Sequence, residues 1–194
     1  PQCAIAGCSL AFKKSYYFPI QTYQDMEFDP LNSLTNSLSK FRDDTHGGAA
    51  IQFVVRSAHP RWHAAASQRS REVRAGKKLS DAMKLVGHGA AKTTMRTIVY
   101  SRKKSAEELE RMGRQQTISQ FEEEALSRIQ AKSAKSGFEA NIRIVVASQS
   151  ESTAQASLSA IADSFCQYAG YEYGNGFIRK KPRNLNRFLN DFIY

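Results

Sequence analysis

Six basic side chains are the candidates for chemistry in this chain, and that chemistry would be the binding of phosphate groups. They are Arg69, Arg71, Arg74, Lys77, Lys78 and Lys84. They belong to the window 61–104, which holds twelve Lys or Arg and two acidic residues, a net charge of +10 that equals the charge of the whole chain. Such a segment attracts polyanions, either nucleic acid or an anionic membrane surface. A solvated helical face or a flexible insertion is the structural alternative.

A nucleotide site is not predicted, although Gly87–Thr94 contains two glycines and a Lys-Thr pair. A P-loop requires glycine directly before the lysine and a second glycine five residues earlier, so that backbone amides surround the phosphates. Ala91 and Val86 occupy these two positions ahead of Lys92. The stretch therefore lacks the backbone freedom that this kind of site requires.

Metal and thiol chemistry are not predicted either. His59 and His63 have a spacing that can hold zinc on a helix, but Pro60 disturbs the geometry and no third ligand follows. We expect a helix to begin here, with Trp62 as a buried anchor. Three cysteines are too few for a disulfide framework, which indicates reduced thiols. They are Cys3, Cys8 and Cys166. We predict no catalytic, cofactor-binding or metal-binding residues, and hence that this chain is not an enzyme and needs no cofactor.

Two similar β-branched segments, Gly47–Arg56 and Gly137–Ala147, predict two strands of one sheet. A patterned helix precedes the first strand and begins at Asp29-Pro30. A second helix follows the other strand, behind the capping box Ser148–Glu151. This arrangement predicts helices on one face of the sheet. Arg143 and Arg56 are expected on its solvent side because side chains alternate along a strand. A contact to a neighbouring domain or to an anion is the alternative for both.

The remaining elements complete an α+β domain. We predict strands over 8–20 and 177–179 and helices over 62–75, 79–85 and 185–193. A long helix is predicted from the capping box Ser105–Glu108 towards Lys135, with Gly113 as the point where it could break. The order β-α-β, helical insertion, β-α-β is that of a ferredoxin-like sandwich. We therefore expect one domain over 1–194. Its parts are a first half at 8–57, a basic helical insertion and long helix at 58–136, a second half at 138–180 and a C-terminal helix at 184–194.

Several segments, in this order, resemble the HerA/FtsK-like transfer ATPases of conjugation and type IV secretion, especially the forms found in candidate-phylum bacteria. The resemblance begins with Phe18–Tyr23 and Asp29–Lys40. It covers most of residues 8–62 and 126–194. The further matching segments are Gly48–Arg56, Trp62, Lys132–Arg143, Ala160–Phe165, Asn175–Phe177 and Asn190–Ile193.

The resemblance implies an amino-terminal, non-catalytic domain ahead of the ATPase core, because the family's Walker motifs have no counterpart here. It implies a role in assembly, with the ATPase core of the same polypeptide and other secretion-complex subunits as partners, and a homo-oligomer for the full-length protein. The helix at 184–194 would lead to a linker and the core. The expected location is the cytoplasm, at the membrane's cytoplasmic face through the parent complex.

The alternative function is that of a nucleic-acid-binding module that uses the basic segment 61–104. An anionic membrane surface is a further partner that the same charges would permit. No run approaches the roughly 18 apolar residues of a membrane-spanning helix. The start at Pro1, without a basic or apolar leader, predicts an excised piece of a longer protein.

Overall fold

The computed structural model describes residues 3–39, 41, 47–75, 79, 119–170 and 173–193. These residues form four strands and five α-helices, with 3₁₀ turns at Tyr23–Asp25 and Ser164–Tyr168. In chain order the elements are β1 (Ala4–Phe12), α1 (Pro30–Leu38), β2 (Gly48–Ser57), α2 (Arg61–Arg74), α3 (Gln120–Ser133), β3 (Phe138–Ser148), α4 (Glu151–Asp163), β4 (Phe177–Lys180) and α5 (Leu185–Ile193). The predicted α+β class is confirmed.

The described residues fall into two compact units. The sheet unit takes its residues from Pro1–Lys13, Ile20–Ala58 and Phe138–Tyr194. The helical unit takes its residues from Lys14–Pro19 and His59–Gly137. The second of these helical segments has nearly the bounds of the insertion predicted at 58–136. The expectation of a single domain over 1–194 stays a prediction.

The four strands form one antiparallel sheet in the order β2-β3-β1-β4. The two similar segments of the sequence, now β2 and β3, are direct neighbours, with Ile51 opposite Ile144. β3 also pairs with β1, where Cys8 lies opposite Ile144. The predicted strand at 177–179 is β4, which pairs with β1 at the far edge. The two inner strands, β3 and β1, therefore carry apolar positions that build the core.

One face of the sheet packs on α4 and α1 to form this core. Alternate residues of β3, Ile142, Ile144 and Val146, are buried, as the strand period of two requires. On α4, Leu158 and Ile161 are buried against them at helical spacing. Full burial of one such side chain contributes about 1.5–3 kcal/mol. The other buried members of the cluster are Ala6, Cys8, Leu10, Ala154, Ala162 and Phe165.

The two predicted helices pack on one face as expected, but α5, which was not assigned to a face, covers part of the opposite face, where Ile5 and Val54 stay exposed. A Cβ atom placed on Gly7 of β1 would lie 2.7 Å from Cε1 of Phe188, which shows how closely the helix approaches. Gln52 Nε2 donates to the carbonyl oxygen of Phe192 at 2.9 Å. Arg143 Nη1 donates to the carbonyl oxygen of Asp191. Arg143 is therefore on the predicted face, but it binds a helix there rather than solvent.

The predicted strand over 8–20 is wrong at both ends, since β1 runs from Ala4 to Phe12. Beyond Lys13 the chain turns, and Phe18 N donates to the carbonyl oxygen of Ser15 at 3.0 Å. Tyr17 and Phe18 are both buried, and they belong to the helical unit. A half-buried strand buries every second residue, whereas here two consecutive aromatic residues are buried. Their high β propensity was the reason for the wrong prediction.

The helix caps follow local sequence closely. Asp29 caps α1 as predicted, and its Oδ1 accepts from Leu31 N at 2.9 Å. The cap of α4 is Ser150 rather than Ser148, because Ser148 still pairs with Ala4 in the sheet. The Oγ of Ser150 accepts from Thr153 N at 3.2 Å.

The helical unit is built around α2 and α3, which pack against each other. The predicted helix at 62–75 is confirmed as α2, which buries Ala66 and Val73. α3 buries Ala125, Leu126 and Ile129. Phe18 and Leu79 are fully buried as well.

α3 is a separate helix rather than the end of one that starts at Ser105. Ser119 has extended backbone (φ −64°, ψ 151°) and forms a capping box with Glu122. The Ser105–Glu108 box lies outside the described residues, as does the predicted helix at 79–85 apart from Leu79. Within the described part of the chain, none of the helices is both long and apolar enough to cross a lipid bilayer.

Candidate nucleic-acid interface

The predicted basic residues that the structure describes all lie on α2. They are Arg69, Arg71 and Arg74. Lys77, Lys78 and Lys84 lie outside the described residues, as does the rejected P-loop stretch at 87–94.

Arg69 is set apart from the other two arginines. Its Nη1 lies 2.6 Å from Oε2 of Glu72, one turn further along the helix. The other oxygen of that carboxylate accepts from Gln68 Nε2 at 3.1 Å. Two residues along a helix correspond to about 200° of rotation, so Arg69 and Arg71 point to different sides. The charge of Arg69 is neutralised locally.

Arg71 and Arg74 share one side of α2 and line a small polar cleft between α2 and α3. The cleft has a volume of about 190 Å³. Its described lining residues are Ser67, Ser70, Arg71, Arg74, Gln130 and Ser133. No carboxylate is among them, so both full positive charges act on whatever occupies the cleft. We call this site the α2–α3 cleft.

Ser70 is the unusual member of this lining. Its side chain is 5% exposed, and its Oγ has no hydrogen-bond partner within the described part of the chain. The hydroxyl of Ser133, by contrast, donates to the carbonyl oxygen of Ile129 at 2.6 Å. A buried hydroxyl without a partner costs about 1–3 kcal/mol. Ser70 thus holds unused hydrogen-bonding capacity beside two arginines.

The sequence prediction missed the uncharged lining residues, although part of the signal was present. Ser67, Ser70, Arg71 and Arg74 follow the spacing i, i+3, i+4, i+7, which places them on one helical face. A polar stripe of this kind can be recognised in a sequence. Gln130 is far away along the chain and on another helix, and no pattern linked it to this stripe.

A second cleft lies in the sheet unit, between the 3₁₀ turn at Tyr23–Asp25 and α1, and it is apolar. Its volume is about 470 Å³. Three apolar side chains around it are strongly exposed: Tyr23 at 72%, Phe28 at 80% and Leu31 at 56%. The other lining residues are Met26, Glu27, Asp29 and Pro30. We call this site the apolar cleft.

Comparison with known proteins gives one match. A family model described as a domain of unknown function, DUF8128, matches residues 2–190. The chain belongs to the DUF8128 family. No curated protein and no solved structure matches the chain. The DUF8128 match includes both the α2–α3 cleft and the apolar cleft.

In this DUF8128 domain, Lys132 joins α3 to the turn that precedes Pro19. Its Nζ donates to the carbonyl oxygens of Tyr16 at 2.6 Å and Phe18 at 3.2 Å. Burial lowers the pKa of Lys132 to about 8, because desolvation disfavours the ammonium form. Burial also raises the pKa of Tyr16; the neighbouring Tyr17 adds to this rise and Arg69 opposes it. Lys132 thus ties two segments of the helical unit together.

The histidine pair of the DUF8128 domain serves packing and hydrogen bonding. His63 Nδ1 lies 2.7 Å from the carbonyl oxygen of Ser133. The rings of Trp62 and His63 have centroids 4.1 Å apart. Trp62 lies at the start of α2, as predicted, but its side chain is half-buried rather than buried. Among the described residues, no group of three or more His, Cys, Asp or Glu side chains could hold a metal ion.

Proposed function

We propose that this DUF8128 chain is a non-catalytic assembly domain of a type IV secretion or conjugative DNA-transfer ATPase. The apolar cleft is the observation that carries this proposal. Its residues 23–31 lie within and between the two segments that open the resemblance to those ATPases, Phe18–Tyr23 and Asp29–Lys40. Exposed apolar side chains that lie together, rather than scattered, are typical of protein interaction sites.

We further propose that the sheet unit is a ferredoxin-like sandwich. The strand order β2-β3-β1-β4, antiparallel throughout, supports this topology. So does the chain order, in which α1 connects β1 to β2 and α4 connects β3 to β4. The segment His59–Gly137 of the helical unit then corresponds to an insertion between β2 and β3. A high-resolution experimental structure with a different strand order would contradict this proposal.

The apolar cleft favours a protein partner of defined chemistry. Tyr and Phe are enriched at the centres of protein interfaces, where each contributes a large apolar area at a low cost in side-chain entropy. Glu27 lies at the rim of the cleft and contributes a negative charge. Asp29 instead accepts the hydrogen bond that caps α1. We therefore assign the cleft to a neighbouring subunit of the transfer complex that presents an apolar side chain beside a basic one.

The test is assembly of the full-length protein, measured as mass by light scattering. Phe28→Ala should weaken subunit association by at least about 30-fold, as expected for an interface hot spot. Phe121→Ala is the matched control, because Phe121 is also exposed, at 59%, but lies on α3. Unchanged association in both Phe28→Ala and Tyr23→Ala would contradict the assembly role.

The non-catalytic part of the proposal has its own test. The purified chain is incubated with ATP and the release of phosphate is followed. We expect no turnover above the background of the buffer. Turnover that disappears in Lys92→Ala would overturn this part, since Lys92 is the residue that would contact phosphates if the stretch 87–94 were a nucleotide site.

A second candidate function is nucleic-acid binding by α2 and the basic segment that follows it. The specific observation is the convergence of Arg71 and Arg74 on a cleft whose described lining includes no carboxylate. Phosphate contacts of this kind give binding that weakens steeply with salt and shows little sequence preference. A salt titration with labelled single- and double-stranded DNA tests it. Absence of binding at low salt would remove this candidate.

A further inference from the structure

The buried hydroxyl of Ser70 identifies the α2–α3 cleft as an incomplete site. Nearly all buried polar side-chain atoms in folded proteins have a hydrogen-bond partner, so an exception calls for an explanation. Ser70 is 5% exposed, and its Oγ has no partner within the described ranges of the chain. The same residue lines the cleft with Arg71 and Arg74. Because Ser70 lines the cleft, a group bound there can supply the partner once the side chain rotates about its Cα–Cβ bond, which exposes the buried Oγ to the cleft.

The size of the cleft restricts what this partner can be. Pockets for drug-sized ligands and cofactors span roughly 300–1,000 Å³. The α2–α3 cleft has about 190 Å³. It can take one small polar group, while the remainder of a larger ligand stays outside. The part of the cleft that the described residues line is smaller than a nucleobase-sized or cofactor-sized pocket.

The charge of the cleft indicates that this group is an anion. Arg71 and Arg74 each carry a full positive charge, and each guanidinium offers five N–H donors in a planar arrangement. Both arginines lie in the last turn of α2, where the helix contributes only about half a negative charge. Arg71 Nε donates to the carbonyl oxygen of Ser67 at 3.4 Å, a long bond that involves one donor of five. The net field in the cleft is therefore positive.

We propose that the α2–α3 cleft binds a single phosphodiester group of a nucleic-acid backbone. Arg71 and Arg74 share that phosphate, and the Ser70 hydroxyl donates a third hydrogen bond to it. The inference rests on nucleic-acid binding, the second candidate function. Phosphate has several acceptor oxygens that match paired guanidinium groups. A nucleic acid is favoured because the basic segment continues along the chain with Lys77, Lys78 and Lys84, which suits a ligand with repeated charges.

Arg69 provides a matched control on the same helix. It has the same charge as Arg71 and lies two residues away, but it is bound to Glu72 and is not part of the cleft lining. Removal of Arg69 and removal of Arg71 change the net charge of the chain equally. A difference between the two variants therefore reports on the cleft and not on total charge.

The experiment is a salt titration of the full chain with fluorescently labelled single-stranded DNA, read as anisotropy. Each phosphate contacted contributes about 0.7 to the slope of log K against log salt concentration. Arg71→Ala/Arg74→Ala should flatten the slope by about 0.7, because the two arginines share one phosphate. A flattening of about 1.4 would mean two separate phosphates and would overturn the shared site. The control that removes the same two charges is Arg69→Ala/Arg128→Ala, because both arginines are paired with carboxylates and neither lines the cleft, and it should leave the slope within error of the wild type.

Ser70→Ala separates the hydroxyl from the charge. It should keep the salt slope and weaken binding by about three- to tenfold, because one neutral hydrogen bond is lost. The thermal midpoint without DNA should stay the same or rise, since the variant removes a buried polar atom that has no partner. A fall in the midpoint with unchanged DNA affinity would show that Ser70 has a purely structural role, and would overturn its part in the site.

Two results distinguish this inference from the function on which it rests. Wild-type protein that fails to bind DNA at low salt removes the nucleic-acid candidate and the inference together. Wild-type protein that binds, with Arg71→Ala/Arg74→Ala identical to Arg69→Ala/Arg128→Ala, overturns the inference and leaves nucleic-acid binding in place. Vesicles of phosphatidylserine and phosphatidylcholine are the third arm. Vesicle binding that needs Arg71 and Arg74, without DNA binding, would assign the cleft to lipid headgroups.

Discussion

Polar side chains have different partners in the two units of the chain. In the sheet unit, Gln52 of the edge strand β2 and Arg143 of the inner strand β3 bind backbone carbonyls of α5. In the helical unit, Ser70 is buried without a partner among the described residues, next to Arg71 and Arg74. This difference between the two units supports the proposed ligand site in the α2–α3 cleft.

The net charges of the two units differ as well. The described residues of the sheet unit include eight Lys or Arg and seven Asp or Glu, while those of the helical unit include eight and four. The described residues thus sum to +1 in the sheet unit and +4 in the helical unit. Over the full sequence of the two units the net charges are 0 and +10. Because exposed charges act over only about 8–10 Å at physiological salt, the helical unit presents its own positive field to an anionic partner. The sheet unit presents the apolar cleft instead.

The largest expected effect comes from the core of the sheet unit. Leu158→Ala removes a fully buried side chain and should lower the free energy of unfolding of this unit by about 2–5 kcal/mol. Hydrogen exchange of the β1 and β3 amides in increasing urea measures it. The chain has a single tryptophan, Trp62, which reports on the helical unit. Its fluorescence midpoint should not move in Leu158→Ala.

Leu126→Ala is the reciprocal variant, since Leu126 is fully buried in α3. This variant should lower the urea midpoint measured by Trp62 fluorescence and leave the hydrogen-exchange rates of the β1 and β3 amides unchanged. Equal shifts of both probes in both variants would show that the two units unfold as one, and the comparison between them would then lose its thermodynamic basis.

Each unit has a glycine that contacts an aromatic ring. A substitution of this glycine by alanine should destabilise the helical unit more than the sheet unit. A Cβ at Gly137 would have three indole atoms of Trp62 within 2.8 Å. Gly137→Ala should therefore cost about 1–3 kcal/mol and alter the Trp62 emission. Gly7→Ala would press mainly on one ring atom of Phe188, at 2.7 Å, so its cost should be smaller. Urea denaturation compares the two, and a larger cost for Gly7→Ala would contradict the expectation.

The two units should respond to pH with opposite signs. The pKa of Lys132 is lowered by burial from 10.5 to about 8, so between these values the unfolded chain binds more protons than the folded chain. The free energy of unfolding of the helical unit should therefore rise with pH, by at most about 1.4 kcal/mol per pH unit. The raised pKa of Tyr16 opposes this rise above about pH 10. Urea midpoints from Trp62 fluorescence between about pH 8 and 9.5 measure it, and Lys132→Met should abolish the rise.

The contrasting group in the sheet unit is Cys8. Burial raises the pKa of its thiol from 9.0 to about 11, an effect that Arg179 partly offsets. The folded chain keeps this proton while the unfolded chain loses it, so the free energy of unfolding of the sheet unit should fall between pH 9 and 11. Hydrogen exchange of β1 follows it, with Cys8→Ala as control. A free energy of unfolding that rises between these pH values would contradict the raised pKa of Cys8.

The smallest expected effect concerns surface ion pairs, where the two units should behave alike. Arg56 and Glu139 are bound at 2.6 Å across β2 and β3, with side chains 79% and 49% exposed. Arg56→Ala should change the free energy of unfolding by less than about 0.5 kcal/mol, because exposed pairs are screened by solvent. Arg128→Ala, which breaks the exposed pair with Glu124 on α3, should do the same. A loss above about 1 kcal/mol in either would show an interaction beyond the pair.

The sheet unit was predictable where local sequence decides the structure. Asp29-Pro30 fixed the start of α1, and the β-branched segments fixed β2 and β3, because caps and strand alternation depend on near neighbours. Phe18 was misplaced because its burial depends on the helical unit. Arg143 was assigned to the correct face, but α5 comes 42 positions or more later in the chain and its contact with that face has no local signal.

The candidate site was predictable in part, for a similar reason. The charge of Arg71 and Arg74 was evident, and the spacing of Ser67 and Ser70 places them on the same side of α2. The ion pair of Arg69 with Glu72 also has a helical spacing that sequence alone could have indicated. The contribution of α3 could not be inferred, since it depends on how two helices pack.

The contact between the sheet and α5 has a consequence for mutational tolerance. Arg143 and Gln52 bind the carbonyl oxygens of Asp191 and Phe192, and every amino acid carries the same carbonyl. Position 191, whose side chain is exposed, should therefore accept most replacements that keep a helix, whereas positions 143 and 52 should not. The sheet holds this helix by its backbone, so selection on the contact acts on two strand residues and leaves the exposed helix residue free to vary.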